Sequence, residues 1–379
     1  MQGIIQNLSI IYKNKRKTEE YIMNRIKKVF ALTVIVAVIV GSFTGCGKKE
    51  EKSSKGENVV KILNNKESLC LAPVHIAIIN GYFDEEFKAI GQKYKIVTSN
   101  IDTITEQITS GEINAGYGLT GTLMQPISNG LEIAFVTGLH RGCTKFYSKK
   151  GTGIDSLEDL KGKTIGVASL SDSAPIQLKR KLFSLGFKVN GNDADIQFVT
   201  YAMTDLPTAL DNGAVDAIGI HDPVAYNAEK NYEFNKILDI GEDEVFSKEY
   251  CCQAYVSQEL IAKNKEGAAA YTRAIQKAAA FVQANPEEAA RLQVENGYMP
   301  SESNDDIVRY GEILSLLNYE PSVTLGRETF VASFKDLQQT GDLDSSLNLD
   351  DFVKKVYPDL EGVPDSVVYD PDSKSFTEK

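Results

Sequence analysis

From residue 59 onward, short apolar runs alternate with glycine-stopped amphipathic stretches in the order strand, turn, helix, strand. That repeat restricts the chain to an α/β fold with a largely parallel sheet. The spacing predicts strands over 59–63, 95–97, 113–117 and 131–138. The last is apolar throughout, as expected of a strand covered on both faces. Pro73 stands where a helix to about residue 81 should open, a position at which its missing N–H is not needed. Further helices are expected over 104–110 and from the Gly118-Leu119-Thr120-Gly121 turn to Gly130.

A second set follows. Strands are expected over 164–168, 196–200 and 217–220, with helices over 176–186 and 206–212. The polar, glycine-dotted stretch 147–153 and the Leu157-Glu158-Asp159-Leu160-Lys161-Gly162-Lys163 lead behind it mark a crossing between two lobes. Residues 58–150 are therefore read as lobe one, 151–245 as lobe two, and 246–363 as the return to lobe one, beginning with a strand at 252–256. The stretch 263–284, rich in Ala, Lys, Gln and Glu, is a strong helix former, and Pro286 opens another helix. Residues 364–379 read as a poorly ordered tail.

The N-terminus adds a targeting signal. Residues 29–40 are apolar, with Arg25, Lys27 and Lys28 ahead and small residues behind. Twelve residues are too few for a membrane span, which needs roughly 20, but suit a secretory signal core. The run ends in Phe43-Thr44-Gly45-Cys46, which resembles a lipobox, so Cys46 is the expected lipidation site and residues 1–45 the signal, with Met23 the expected start. Residues 46–57, charged and without apolar periodicity, read as a flexible tether.

About 334 residues remain, enough for two lobes. The whole chain carries −11, and residues 1–45 hold seven Lys/Arg against two Asp/Glu, so the remainder stands at −16. That charge repels a polyanion, and nucleic-acid binding is not expected. Cys46, Cys70, Cys143, Cys251 and Cys252 fit no zinc-ribbon spacing. In an exported chain the four beyond Cys46 read as one or two disulfides or as free thiols, and the vicinal pair is not expected to close on itself. No nucleophile elbow, P-loop or paired-carboxylate pattern stands out, so neither catalysis nor a cofactor is expected.

Five phrases occur in register. They are Pro73-Val74-His75-Ile76-Ala77 with Gly81-Tyr82-Phe83, Ile108 to Gly116, Leu157 to Val167, Ala209-Leu210-Asp211-Asn212-Gly213-Ala214-Val215-Asp216-Ala217, and Ala284-Asn285-Pro286-Glu287-Glu288-Ala289. Together they resemble the nitrate/sulfonate/taurine class of ABC substrate-binding proteins, which includes binders of thiamine-pyrimidine precursors. The resemblance implies a type II periplasmic-binding fold, two α/β lobes with a ligand cleft between them. It also implies an extracytoplasmic monomer that captures a sulfonate, nitrate, bicarbonate or thiamine-pyrimidine-like molecule and delivers it to an ABC permease and its ATPase. Closure of the lobes on the ligand would be the working motion.

Ligands of open α/β sheets sit beyond the C-terminal strand ends. The loops at those ends place Ser68, Leu69, His75, Leu119, Thr120, Gly121, His140, Arg141, Ser169, Ser171, Asp172, Ser173, His221 and Asp222 in the expected site. Ser169, Ser171 and Ser173 precede a helix and suit an anionic oxygen, although the same residues serve as N-caps. Arg141 could grip an anion bidentately, or lie on the solvated surface.

No residue is assigned as a metal ligand. All three histidines, however, fall beside expected cleft loops together with Cys70, Cys143, Cys251 and Cys252, so a metal or metal complex held through His and Cys is the alternative reading. A thiamine-pyrimidine-synthase-like enzyme is a lesser one. Gly142-Cys143-Thr144-Lys145-Phe146-Tyr147 keeps one Cys and the Phe of that group's Cys-Cys-Cys-Phe-Cys segment, and the export signal argues against it.

Overall fold

The computed structural model describes residues 59–66, 68–99 and 103–379. The expected signal at 1–45, the expected lipidation site Cys46 and the expected tether at 46–57 lie outside the described residues. Two five-stranded sheets organise the chain. The first contains β1 (Val60–Asn64), β2 (Tyr94–Thr98), β3 (Ala115–Leu119), β4 (Ile133–His140) and β10 (Cys252–Ser257), in the order β2-β1-β3-β10-β4. The second contains β5 (Thr144–Lys149), β6 (Lys163–Val167), β7 (Ile196–Thr200), β8 (Ala217–His221) and β9 (Phe234–Asp239), in the order β7-β6-β8-β5-β9.

In each sheet four strands run in one direction, and the strand arriving from the other lobe inserts antiparallel between two of them. The α/β expectation therefore holds, with mixed sheets. Because β5 belongs to the second sheet, the chain first crosses at residues 141–143, ahead of the expected 150/151 boundary. It returns over 240–251. The strand β5 was hidden in the sequence by Lys145, a charged residue that the fold buries beside Asp222, with 3.7 Å between Lys145 Nζ and the carboxylate.

The helices that position the loops are α1 (Ala72–Ile79), α2 (Tyr82–Ala89), α3 (Ile104–Thr109), α4 (Thr120–Ser128), α5 (Ser173–Ser184), α6 (Leu206–Asp211) and α7 (Val224–Asn231). After β10 come α8 (Gln258–Lys263), α9 (Lys265–Ala284), α10 (Pro286–Glu295), α11 (Asn304–Leu316), α12 (Val323–Thr340) and α13 (Leu349–Val356). Small side chains explain the place of α9. Its buried face carries Ala268, Ala270, Ala274, Ala278 and Ala279, which lets it seat closely against α1 and α2, and Asn264 caps its start by accepting the Gly267 N–H at 2.9 Å. None of the described helices is long and apolar enough to cross a membrane.

The tail differs from its expectation. Residues Val367–Asp370 and Ser375–Glu378 form an antiparallel hairpin, β11 and β12. Tyr369 packs 5.2 Å from Phe281, and Phe376 lies edge-on 5.3 Å from Tyr82. Two aromatics separated by a polar turn anchor a stretch whose composition alone reads as unstructured.

Candidate functional site

The C-terminal ends of β3, β4, β6 and β8 all point to the boundary between the lobes, where α4 meets α5. The two helices start close together. A methyl group placed on Gly121 would lie 3.4 Å from Ile176 and 3.5 Å from the Ser173 side chain, so glycine allows the first turns of the two lobes to touch. A narrow crevice beside this contact is lined by Thr120, Gln177, Arg180, Phe246, Tyr250 and Cys251, among others. Thr120 donates its hydroxyl to the Tyr250 carbonyl at 3.1 Å, fixing α4 to the second crossing.

Arg180 closes the crevice from lobe two. Its guanidinium bonds both oxygens of Glu249 at 2.8 and 2.9 Å and Asp336 on α12 at 2.7 Å, with the Ser333 hydroxyl at 3.2 Å. Lys179 joins Asp342 at 2.7 Å, and Asn190 donates to the Thr340 carbonyl at 2.7 Å. These contacts tie lobe two to α12 and the loop behind it, and the lobes are closed on each other.

A second chain of bonds runs along lobe two's edge. Asp172, the N-cap of α5, accepts the Ser173 N–H at 2.7 Å and bonds His221 Nε2 at 2.8 Å. The other nitrogen of His221 lies 2.9 Å from the Thr144 hydroxyl. Burial alone would lower the His221 imidazole, but the Asp172 carboxylate outweighs it and holds the ring well above its ordinary value. Asp222 accepts the Tyr226 N–H at 3.0 Å at the start of α7. Burial outweighs its neighbour Lys145 and pushes the Asp222 carboxyl up to about 7.

The third feature lies where the crossings run side by side. Gly142, at φ +83°, turns the first crossing in a conformation that favours glycine, and a Cβ there would come 3.1 Å from Gly241 of the second. Cys252 pairs with His140 across the β10–β4 ladder. The sulfurs of Cys143 and Cys251 are 3.2 Å apart, and Cys251 Sγ lies 3.2 Å from His140 Nδ1. Neighbouring thiols of Cys251, Cys252 and Cys70 hold the Cys143 thiol well below its ordinary value, whereas burial pushes Cys251 and Cys252 up and His140 down.

The expected residues thus divide. Thr120, Gly121, Asp172, Ser173, His140 and His221 come together at the lobe boundary, and Leu119 and Asp222 stand directly beside them at strand ends. Ser169 and Ser171 are exposed and bond each other at 3.0 Å. Arg141 is not free for an anion, because it pairs with Glu320 at 3.3 Å and lies 5.1 Å over the Tyr250 ring. Ser68 accepts the Leu71 N–H and starts a short 3-10 turn, and Leu69 is core.

His75 belongs to lobe one's interior rather than the crevice. It stacks 4.3 Å from Tyr298, with Gln293 Oε1 2.8 Å from Nδ1 and the Asn65 carbonyl 3.0 Å from Nε2. Burial lowers its pKa. A neutral ring donates to Asn65 and accepts from the amide nitrogen of Gln293, which this side-chain orientation leaves unpartnered, so the amide is read as turned by 180°.

Sequence reasoning missed Arg180, Glu249, Tyr250 and Gln177. No local motif marks them, since they meet only through the packing of α5 on the second crossing. Several buried polar atoms near the boundary have no partner among the described residues: His140 Nε2, the hydroxyls of Tyr117, Tyr319, Thr122 and Ser173, and Gln177 Oε1.

Two sheets joined by two crossings, with strand ends converging between them, define the periplasmic-binding-protein class of fold. The Escherichia coli periplasmic aliphatic sulphonate-binding protein SsuA superposes with a TM-score of 0.64 at 15% identity, covering 80% of this chain and 92% of that one. The periplasmic nitrate-binding protein NrtA of Synechocystis PCC 6803 gives 0.60 at 12% identity, covering 79% and 86%. The chain belongs to the NMT1/THI5-like family, whose model matches residues 70–289. A curated relative, the riboflavin-binding protein RibY of Chloroflexus aurantiacus, is 26% identical over 246 residues, which is 64% of this chain and 67% of that protein.

Proposed function

We propose that the chain is the solute-binding subunit of an ABC importer and captures a small polar ring compound in the crevice between its lobes. On this reading residues 1–45 export it, Cys46 carries the lipid, residues 46–57 tether it to the outer face of the membrane, and the closed form is presented to a permease and its ATPase. It binds and does no chemistry.

The observation that carries the reading is the meeting of the α4 and α5 N-termini across the crevice, with unpartnered Thr122, Ser173 and Gln177 atoms beside it. A ligand touching both first turns gains its full contacts only when the lobes close, so it favours closure by its differential affinity. The charge balance favours one ligand class over the others. Arg180 already bonds two carboxylates, His221 is paired with Asp172, and Arg141 with Glu320. The described crevice therefore offers a sulfonate, nitrate or bicarbonate no spare positive charge. In the closed form the crevice holds only about 10 Å³, so a ring enters an opened cleft. There Phe246 and Tyr250, one face of each covered by Arg180 and Arg141, and the amide of Gln177 suit a heterocycle. Riboflavin binding by the Chloroflexus relative supports that preference, and a thiamine-pyrimidine-like ring fits it too.

The test is a thermal-shift screen against riboflavin, thiamine pyrimidines, alkanesulfonates, nitrate and bicarbonate. A ligand selective for the folded state raises the midpoint by mass action. A shift with a heterocycle is expected, and a shift with a simple anion alone contradicts the choice of ligand class.

A further inference from the structure

The thiols at the crossings are more than core filling. Cys143 ends the first crossing, Cys251 ends the second, Cys252 opens β10 and His140 closes β4, so residues as far apart as 140 and 252 supply one cluster. One ring nitrogen of His140 and the three sulfurs lie within 4.8 Å of one another, and all four residues are buried. Soft donors from both crossings thus point at a common centre.

Two unpartnered polar atoms belong to the cluster's histidine and to the tyrosine packed on it. His140 Nε2 is buried without a hydrogen bond, as is the hydroxyl of Tyr319, whose ring lies 5.0 Å from the imidazole. The imidazole nitrogen that faces the sulfurs is Nδ1, 3.2 Å from Cys251 Sγ, so an ion seated among the thiols is within reach of that nitrogen. The distances discriminate between the two covalent fates of such a group. A disulfide needs sulfurs about 2.04 Å apart. Thiolates on one tetrahedral zinc, with Zn–S of about 2.3 Å, stand about 3.8 Å apart. The Cys143–Cys251 separation of 3.2 Å reaches the second value with a shift of about half an ångström.

We propose that His140, Cys143, Cys251 and Cys252 form a binding site for Zn²⁺ at the junction of the two lobe crossings. Three sulfurs and one imidazole nitrogen complete a tetrahedral set, and the thiol protons leave to solvent as the ion binds. Cys251 also lines the crevice, so the ion would sit at the floor of the clamp and tie together the two segments about which the lobes hinge. This site rests on the chain's own ligands, whether or not a ring compound is the captured solute.

The test uses the full chain, purified under reducing conditions without oxygen, stripped with a chelator, then titrated with Zn²⁺ and with Co²⁺ as an optical reporter. One equivalent should bind, raise the melting midpoint, give the thiolate-to-cobalt charge-transfer band of a tetrahedral site, and protect three thiols from alkylation. Cys143→Ser, Cys251→Ser and Cys252→Ser should each weaken binding by more than about 100-fold, beyond the loss seen for outer-shell changes. Their metal-free circular dichroism and melting check that they fold, and the alkylation readout on the unsubstituted chain stands if one does not. Absence of binding, a cobalt spectrum without thiolate bands, unchanged affinity in the folded variants, or a Cys143–Cys251 disulfide that persists in the reducing buffer overturns the proposal. The ring-compound screen repeated on Cys143→Ser, which is not among the residues lining the crevice, keeps failure of this site distinct from failure of the solute-binding reading.

Discussion

Arg180→Met tests how the closed lobes are held. The side chain is 4% exposed and carries its charge from lobe two into contact with Glu249 on the second crossing and Asp336 on lobe one. Methionine keeps much of the volume and removes the charge, leaving two carboxylates facing a gap. Breaking a buried pair by removing one partner costs about 3–5 kcal/mol. Only Glu249, 13% exposed, approaches that condition. Asp336 is 41% exposed and recovers much of its hydration, so its share falls toward the ~0–1 kcal/mol of a surface pair.

A total near 3 kcal/mol is therefore expected for Arg180→Met, read by urea denaturation. A double-mutant cycle with Glu249→Gln should show coupling of about 2 kcal/mol, and one with Asp336→Asn less than about 1 kcal/mol. The latch also sets binding, because affinity falls in proportion to the fraction of closing-competent molecules. Loss of stability below about 0.5 kcal/mol, or equal coupling to both carboxylates, would refute the assignment of Arg180 as the interlobe latch.

Gly121→Leu should prop α4 away from α5, since even a Cβ there sits at contact distance from Ile176 and Ser173; ligand affinity should fall while the far-UV circular dichroism stays unchanged. His75 makes a pH prediction. Its pKa is lowered in the folded state, so its contribution is complete above the unfolded value of about 6.5 and is lost as pH falls from there through the folded value. In His75→Asn the acid-side slope of unfolding free energy should lessen by up to about 1.4 kcal/mol per pH unit, one proton's worth, and an unchanged slope would mean the ring is already charged when folded. Phe376→Ala should cost about 1–2 kcal/mol, below the 3–5 of a fully buried ring because Phe376 is only half-buried, as measured by thermal unfolding.

The sequence was most legible where local physics decides. The strand 196–200 falls on its predicted bounds, and Pro73 and Pro286 sit in the first turns of α1 and α10. Periodicity failed at β5, where Lys145 is a core position that the carboxylates of Asp222 and Glu229 make tolerable. Composition failed at the C-terminal hairpin, because Tyr369 and Phe376 gain their packing from Phe281 and Tyr82, far away in sequence. For the site, strand ends located the right loops, and the grouping of His and Cys near them was visible in advance. What each side chain faces was not. His75 turned inward because Gln293 and Asn65 receive it, and Arg141 was claimed by Glu320 and Tyr250. Arg180 lay on a helix whose face against α12 depends on the angle between the lobes, a quantity that no stretch of one lobe encodes.

The most direct measurement of the clamp is small-angle X-ray scattering on the purified protein, with and without the compound that raises its melting midpoint. The account predicts that the ligand lowers the radius of gyration and that Gly121→Leu keeps it high even at saturation. An unchanged radius on binding, with Gly121→Leu scattering identically to the unsubstituted chain, would contradict closure of two lobes on a captured solute.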